Sequence, residues 1–511
     1  MPHRQTLPRI CIALGFSDAA GLLSHARQEY EAGERFFEFR LDYLPQPEQG
    51  ILAITEFLNT YPGCTILATC RRHQNHGRYN GSIDEQIRIL AAATEAGAKA
   101  VDVEIETAEN VAAHLEDLRA KATLVISYHN YGGTPALESL ARRMSKIPAD
   151  AYKIVTTARK PSDNARVLNL TKTFGKLNLI VLAMGEIGFP TRVLSTAFGG
   201  VYTYAAPNSA EGTASGQVCA RTLRNLYRVE KFTRNAKIYG VIADPVRHSV
   251  SPAVHNRAFQ ARRLDSVYLP LLVSPPHLKD LFTFAEKLPL SGFSVTIPHK
   301  QKVMRYLDII DPLARRIGAV NTVWKKAGKW RGTNTDVDGV TVPLGKVIRL
   351  SNARVLLAGN GGAARGAAYA LTAAGAKVAI VGRNVDRVRA LAKACGGDPV
   401  SREQCEDMDF DAVIHATPLG MYPHTDACFF EKRIPAPVVF DMVYNPMDTT
   451  LLKRAREEGK TTVDGLQMFL EQASKQFEIW TGETAPRAVM EKAALEALGA
   501  MGVHAASENG T

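Results

Sequence analysis

The strongest constraint on this chain is an alternation repeated along its first half. Apolar, β-rich runs occur at RICIALGF (9–16), RFFEFRLDY (35–43), CTILATCR (64–71), KAVDVEI (99–105), TLVISYHN (123–130), AYKIVTTA (151–158), NLIVLAMG (178–185) and GGVYTYAAP (199–207). Most are separated by helix-like stretches such as DAAGLLSHARQEYEAG and IDEQIRILAAATEAG, which end at Gly33 and Gly97, in keeping with the preference for glycine past a helix C-terminus. Strand–helix alternation counted to eight predicts a (β/α)8 barrel.

Active sites of such barrels gather at the C-terminal ends of the strands. Those ends are read here as carrying Glu38 and Arg40, Arg71, His129, Lys153, Arg192 and, past the eighth strand, Thr213 and Gln217. Three arginines at one mouth imply an anionic substrate, because a guanidinium binds carboxylate in a planar fork. Neighbouring cations and loss of water would both disfavour a protonated Lys153, leaving a neutral amine able to attack a ketone. His129 can move protons near neutral pH. The bland alternative is that Lys153 pairs with Glu38 merely to hold the barrel together.

Composition narrows the classes. At 511 residues the chain is too long for one core, and its 46% hydrophobic and 22% charged content is that of an ordinary globular protein. No run of apolar residues is long enough for a transmembrane helix, and the apolar stretch at the start suits a first strand better than a secretory signal, so a cytoplasmic location is expected. The net charge of +11 is dispersed, which favours anionic small molecules over nucleic acid. Seven scattered cysteines without a C-x-x-C pair read as reduced thiols, and no ligand spacing suggests a metal. Nothing in the pattern reports an oligomeric state.

Together FEFRLD, SYHN, YKIV, MGEIGFPTRVLSTAFGG and TASGQ resemble the type I 3-dehydroquinate dehydratases over residues 8–228. The resemblance implies that Lys153 forms an imine with the C3 ketone of 3-dehydroquinate, and that His129 takes the C2 proton and helps expel the C1 hydroxyl. Glu38, Arg40, Arg71, Arg192 and Gln217 would hold the carboxylate and hydroxyls. Two departures stand out: Thr213 replaces a usual serine, and Asn75 stands where many members have glutamate.

A polar segment at residues 229–237, VEKFTRNAK, separates this half from a fresh strand, IYGVIA. Beyond it, Ser249 and Ser251 stand two apart before Pro252, where two hydroxyls could meet a carboxylate or Ser251 could simply cap a helix. Lys300 follows the strand of GFSVTIPHK, while Asn321 and Asp336 lie in turns flanking a short hairpin. Residues 353–384 read as strand, glycine turn, small-residue helix, strand. Gly359, Gly361 and Gly362 suit close approach of a pyrophosphate to a helix N-terminus. Arg383, where an acidic residue would mark NAD, favours the 2′-phosphate of NADP.

The motifs SVSP, VTIPHK, AVNT, TNTD, GNGGAAR, ATPLGM, DMVYNP and GLQMFLEQA resemble the shikimate dehydrogenases over residues 237–505. That resemblance implies a proton-transfer role for Lys300 assisted by Asp336, with Ser249, Ser251, Thr296, Asn321, Tyr444 and Gln472 lining the substrate pocket. The cofactor side would comprise Gly359, Asn360, Gly361, Gly362, Ala363, Arg383, Asn384, Val443 and Gly465. Ser294, Gly382 and His415 each replace a common asparagine.

Both halves together resemble the fused dehydratase–dehydrogenase enzymes of the shikimate pathway. The implied organisation is a barrel over 1–228, a substrate lobe over 237–340 rejoined at about 465–505, and a Rossmann NADP lobe over 341–464. Three alternatives stay open: a non-catalytic quinate-responsive regulator, a class I aldolase barrel, and oxidation of quinate instead of shikimate.

Overall fold

The computed structural model describes residues 7–208, 212–247, 249–421 and 424–508, without the side chains of residues 112–113 and 501–508. By its contacts the chain divides into two compact units, one running up to Ala236 together with Leu271–Pro289, the other comprising Lys237–Pro270 and the residues from Leu290 on.

In the first unit the eight runs become parallel strands: β1 (Ile10–Leu14), β2 (Phe36–Arg40), β3 (Thr65–Thr69), β4 (Ala100–Glu104), β5 (Thr123–His129), β6 (Ala151–Thr157), β7 (Leu179–Met184) and β8 (Thr203–Ala205). Their order is β7-β6-β5-β4-β3-β2-β1-β8, and Val201 N donates to Leu179 O at 2.9 Å to bring the ends together. The barrel is nearly closed. Side chains alternate between its faces, and Cys11, Phe36, Leu67, Ala100, Val125, Ala151 and Ile180 share one buried apolar cluster. Period two then puts Glu38 and Arg40, Asp102 and Glu104, Ser127 and His129, and Lys153 on the face of that cluster. On β2, β4 and β5 the apolar residues therefore form a floor beneath a polar tier, while Val155, Leu182 and Met184 carry the apolar cluster further along β6 and β7.

The second unit holds two sheets. One contains β9 (Lys237–Ala243), β10 (Ser266–Leu272), β11 (Leu290–Val295), β12 (Ile309–Ile310) and the hairpin β13 (Thr322–Lys326) and β14 (Lys329–Thr333), in the order β10-β9-β11-β13-β14-β12. The other contains β15 (Arg354–Ala358), β16 (Lys377–Val381), β17 (Asp398–Pro399), β18 (Ala412–His415), β19 (Val438–Asp441) and β20 (Thr461–Val463). Its order is β17-β16-β15-β18-β19-β20, all parallel, which is the doubly wound dinucleotide fold. Ala364 and Ala367 are buried in the helix Gly362–Ala373, where small side chains let it lie close on the sheet.

All seven cysteines are free. Among the described residues, no helix is long and apolar enough to cross a membrane, and no cluster of His, Cys, Asp or Glu could hold a metal ion.

Candidate active sites

Lys153 does not sit at the end of its strand. It is the third of seven residues in β6, only 2% exposed, inside the barrel above the apolar floor. The expectation that cations surround it is also corrected. Its ammonium lies 2.5 Å from Asp102 Oδ2 and 3.6 Å from Glu38 Oε1, and it donates to the Tyr204 hydroxyl at 3.0 Å. Tyr204 in turn donates to Glu38 at 3.2 Å, and Thr69 does so at 2.7 Å. Burial pushes Asp102 up, but Lys153 and Arg71 outweigh it and hold the carboxyl at about 2.

The three arginines play different parts. Arg40 is committed to Asp42 through a two-pronged contact at 2.9 and 2.8 Å. Arg71 meets Asp102 at 3.2 Å and Glu104 at 3.8 Å. Arg192 differs from both. It lies fully buried on the helix Phe189–Leu194, donates to Ser215 O at 3.0 Å, leaves Nε without a partner, and meets no carboxylate among the described residues. Burial alone pushes its guanidinium down to about 10, so it still carries its charge at neutral pH. An unneutralised buried cation is the place for a substrate anion.

His129 ends β5, two residues beyond Ser127, which pairs in register with Lys153. Burial, with Arg71, Lys153 and Arg40 nearby, pushes the imidazole well below its ordinary value, so it stands neutral and able to accept a proton. Gln217 accepts from Ala214 N at 3.2 Å within the segment following β8, and Thr213 of that segment packs near Gly15. Asn75 donates to Glu106 at 2.8 Å.

In the second unit, Lys300 donates to Asp336 Oδ2 at 2.7 Å, and Asn321 donates to Oδ1 at 2.7 Å. Asp336 opens the helix Asp336–Gly345, and its own N–H is held by Asn334 at 3.0 Å. The carboxylate is thus fixed on both oxygens while the lysine side chain stays 17% exposed. Ser251 is the first residue of the helix Ser251–Ala261, so Val250 and not Ser251 stands at the cap position; the Ser251 N–H donates to Ser249 Oγ at 3.3 Å. Ser294 is bound to Tyr268 at 2.6 Å and Gln476 at 2.9 Å. Thr296 follows β11 and its N–H donates to Ile242 O at 3.2 Å, Tyr444 packs its ring on Phe469, and Gln472 donates to Phe469 O at 3.0 Å.

The glycine turn fits a dinucleotide. Gly359 has φ +134°, and a Cβ there would lie 2.8 Å from Ala416 O. A Cβ on Gly361 would stand in open space at the head of the helix, leaving room for a pyrophosphate. Asn360 donates to Asn384 O at 3.2 Å, tying that turn to the exposed Arg383. Ala363 lies in the first turn of the helix. Gly465 begins another helix, where a Cβ would meet Val443 O at 2.4 Å.

These geometries have counterparts among known proteins. The type I 3-dehydroquinase family matches residues 10–233, the shikimate dehydrogenase substrate binding domain 241–323, the shikimate/quinate 5-dehydrogenase family 344–421, and the shikimate 5′-dehydrogenase C-terminal domain 465–495. A chloroplastic bifunctional 3-dehydroquinate dehydratase/shikimate dehydrogenase of Arabidopsis thaliana is 34% identical over 505 residues, spanning 94% of this chain and 83% of that protein. The chain belongs to the bifunctional 3-dehydroquinate dehydratase/shikimate dehydrogenase family. The NADP(+) shikimate dehydrogenase of Methanosarcina acetivorans is 40% identical over 277 residues, covering 51% of this chain and 99% of that one. A crystal structure of a shikimate dehydrogenase in complex with NADP+ matches with TM-score 0.50 and 35% identity, over 52% of this chain and 97% of that chain.

In this member of the family, sequence reading missed several groups around the proposed chemistry. Asp102 and Glu104 lie in AVDVE, whose strict alternation inside an apolar strand puts both carboxylates on one face and was the available signal. Tyr204 had the same signature within VYTYA. Gly366 was also missed: a Cβ on Gly362 would lie 3.9 Å from Lys300 Cδ, and one on Gly366 would lie 3.5 Å from Asp336 Cβ. Glycines four apart share a helix face, and here that face lies against the lysine–aspartate pair, where a Cβ would make ordinary contact.

Proposed function

We propose that the barrel, residues 1–228, dehydrates 3-dehydroquinate to 3-dehydroshikimate through an imine on Lys153, and that the remaining lobes reduce 3-dehydroshikimate to shikimate with NADPH. The substrate lobe would span 237–340 with 465–505, and the NADP lobe 341–464. The observation that carries this reading is the pair of dissimilar lysines: Lys153 buried among carboxylates beside a neutral histidine, and Lys300 only partly buried against a doubly held aspartate.

In the first reaction the substrate carboxylate pairs with Arg192. Lys153 must lose a proton before it attacks C3. Glu38, reached directly and through Tyr204, is placed to take it, while Asp102 keeps its charge and stabilises the iminium. Water leaves as the imine forms. His129 then takes the C2 proton and returns it to the departing C1 hydroxyl, and hydrolysis of the imine restores Lys153. The net change is loss of one water.

In the second reaction Ser249 and Ser251 hold the substrate carboxylate, with Thr296, Asn321, Tyr444 and Gln472 along the ring. Bound NADPH supplies the hydride. Lys300 gives its proton to the carbonyl oxygen as that oxygen becomes an alcohol, and Asp336 keeps the ammonium aimed. The glycine turn and the head of the helix Gly362–Ala373 would hold the pyrophosphate, and Arg383 with Asn384 would meet the 2′-phosphate. The deciding experiment supplies 3-dehydroquinate and NADPH and measures shikimate. Formation of shikimate is expected, and its absence would overturn the reading.

Two further outcomes are expected. The dehydratase needs His129 as a free base, and its lowered pKa keeps that base available as the medium becomes more acidic. The acid limb of kcat/KM should therefore fall below the ~6.5 of an ordinary imidazole, activity being lost only as pH drops through the folded value. A limb at or above that value would remove His129 from the role. Arg383→Ala should raise KM for NADPH by ~10-fold or more, the worth of a charged hydrogen bond, while leaving KM for NADH nearly unchanged. Equal losses for both coenzymes would place the 2′-phosphate elsewhere.

A further inference from the structure

His415, the last residue of β18, has both ring nitrogens engaged while only 2% of its side chain is exposed. Nδ1 lies 2.9 Å from Asp441 Oδ1, and Nε2 lies 2.5 Å from Thr417 Oγ1. A carboxylate only accepts, so Nδ1 carries a proton, while Nε2 shares the second hydrogen bond with the Thr417 hydroxyl. Thr417 Oγ1 also accepts from Leu419 N at 3.3 Å, bending the segment after β18.

Asp441 ends β19 and pairs in register with His415. Its Oδ1 also accepts from Val443 N at 3.0 Å, and its Oδ2 accepts from the Thr449 hydroxyl at 2.6 Å. One imidazole–carboxylate pair therefore ties together the segments that leave two neighbouring strands. A fully satisfied buried polar network of this kind specifies one arrangement of the backbone it joins.

Where those segments lie gives the pair its significance. In the order β16-β15-β18-β19 the chain reverses direction of progress between β15 and β18, the point at which such sheets take a dinucleotide at their C-terminal ends. A dinucleotide with its pyrophosphate on the Gly359–Gly362 turn and its adenosine ribose at Arg383 beyond β16 would bring its reactive ring to the other side, towards β18 and β19. Ala416 O already abuts Gly359 there.

We propose that His415 is a positioning residue for the hydride-transfer step: with Asp441 and Thr417 it locks residues 416–420 and 442–446 into the wall against which the nicotinamide is held. The inference rests on the NADP-linked reduction proposed above. It assigns a use to a buried histidine whose hydrogen-bond partners here are Asp441 and Thr417.

The test uses the full chain with His415→Asn, which cannot reach both partners, Thr417→Val, Thr417→Ser and the double variant His415→Asn/Thr417→Val. Rates of 3-dehydroshikimate reduction are measured with NADPH and with NADPH deuterated at the transferred position, alongside NADPH binding by fluorescence. His415→Asn and Thr417→Val should each lower kcat ~10-fold or more and enlarge the deuterium effect, as misplacement of a reacting atom does, while NADPH affinity changes less than ~3-fold. Thr417→Ser should recover most of the loss. The double variant should be no slower than His415→Asn, because both changes break the same bond. If His415→Asn fails to fold, Thr417→Val, which preserves shape, carries the decision. Variant rates within ~2-fold of the parent, or losses that simply add, would overturn the positioning role. An unmutated chain that reduces no 3-dehydroshikimate would overturn the reading of function itself, which is a distinguishable result.

Discussion

Lys153→Met should abolish dehydration of 3-dehydroquinate, by ~10⁴-fold or more, because it removes the group that forms the covalent bond. Methionine keeps the length and apolar stem of the side chain but leaves the carboxylates of Asp102 and Glu38 buried without their shared cation. Removing one partner of a buried ion pair costs ~3–5 kcal/mol, so thermal unfolding of the barrel should also move to lower temperature. Reduction of added 3-dehydroshikimate by NADPH should persist, since Lys300 and Asp336 belong to the other unit. Borohydride added with 3-dehydroquinate should leave a stable adduct on Lys153 in the parent chain and none in the variant. Dehydration by the parent without any trapped adduct would remove the imine from the mechanism.

The complementary change is Lys300→Met. Loss of a positioned proton donor should lower kcat for 3-dehydroshikimate reduction by ~10²–10⁴-fold with KM for NADPH little altered, while dehydration continues at the parent rate. Asp336→Asn should act in the same direction but less strongly, since it disturbs how Lys300 is held without removing it. Combined with Lys300→Met it should add almost nothing, because the two residues act as one unit. A Lys300→Met chain that reduces its substrate at a normal rate would assign the proton to another group. Loss of both activities together would show that the two chemistries are not independent.

Much of the architecture was legible because strand and helix periods are local properties. Every run read as a barrel strand contains one, although the last reduces to Thr203–Ala205 within the longer stretch 199–207. Its ends could not be read, since burial in a barrel depends on the neighbouring strands. The glycine turn was equally visible, as strand, glycines and small-residue helix are consecutive. The surroundings of Lys153 were not visible. The alternation in AVDVE could put Asp102 on one face of its strand, but Lys153 lies on a different strand, so nothing local to either segment paired the two. Arg40, Arg71 and Arg192 looked alike in sequence, yet Asp42 and the acids of β4 occupy the first two, while the third meets no acid among the described residues.

By itself, then, the order of residues determined the alternation that builds a barrel and a doubly wound sheet, and it supplied the lysines, histidine and glycine turn from which each chemistry is drawn. Only the tertiary structure decided which charge meets which: Lys153 with Asp102 and Glu38 instead of with arginines, Arg192 with no acid among the described residues, Asp336 held between Lys300 and Asn321, and His415 joined to Asp441. The physical reason is that periodicity is set by neighbours along the chain, whereas Coulomb energy and desolvation depend on distances through space, which strand order and register establish.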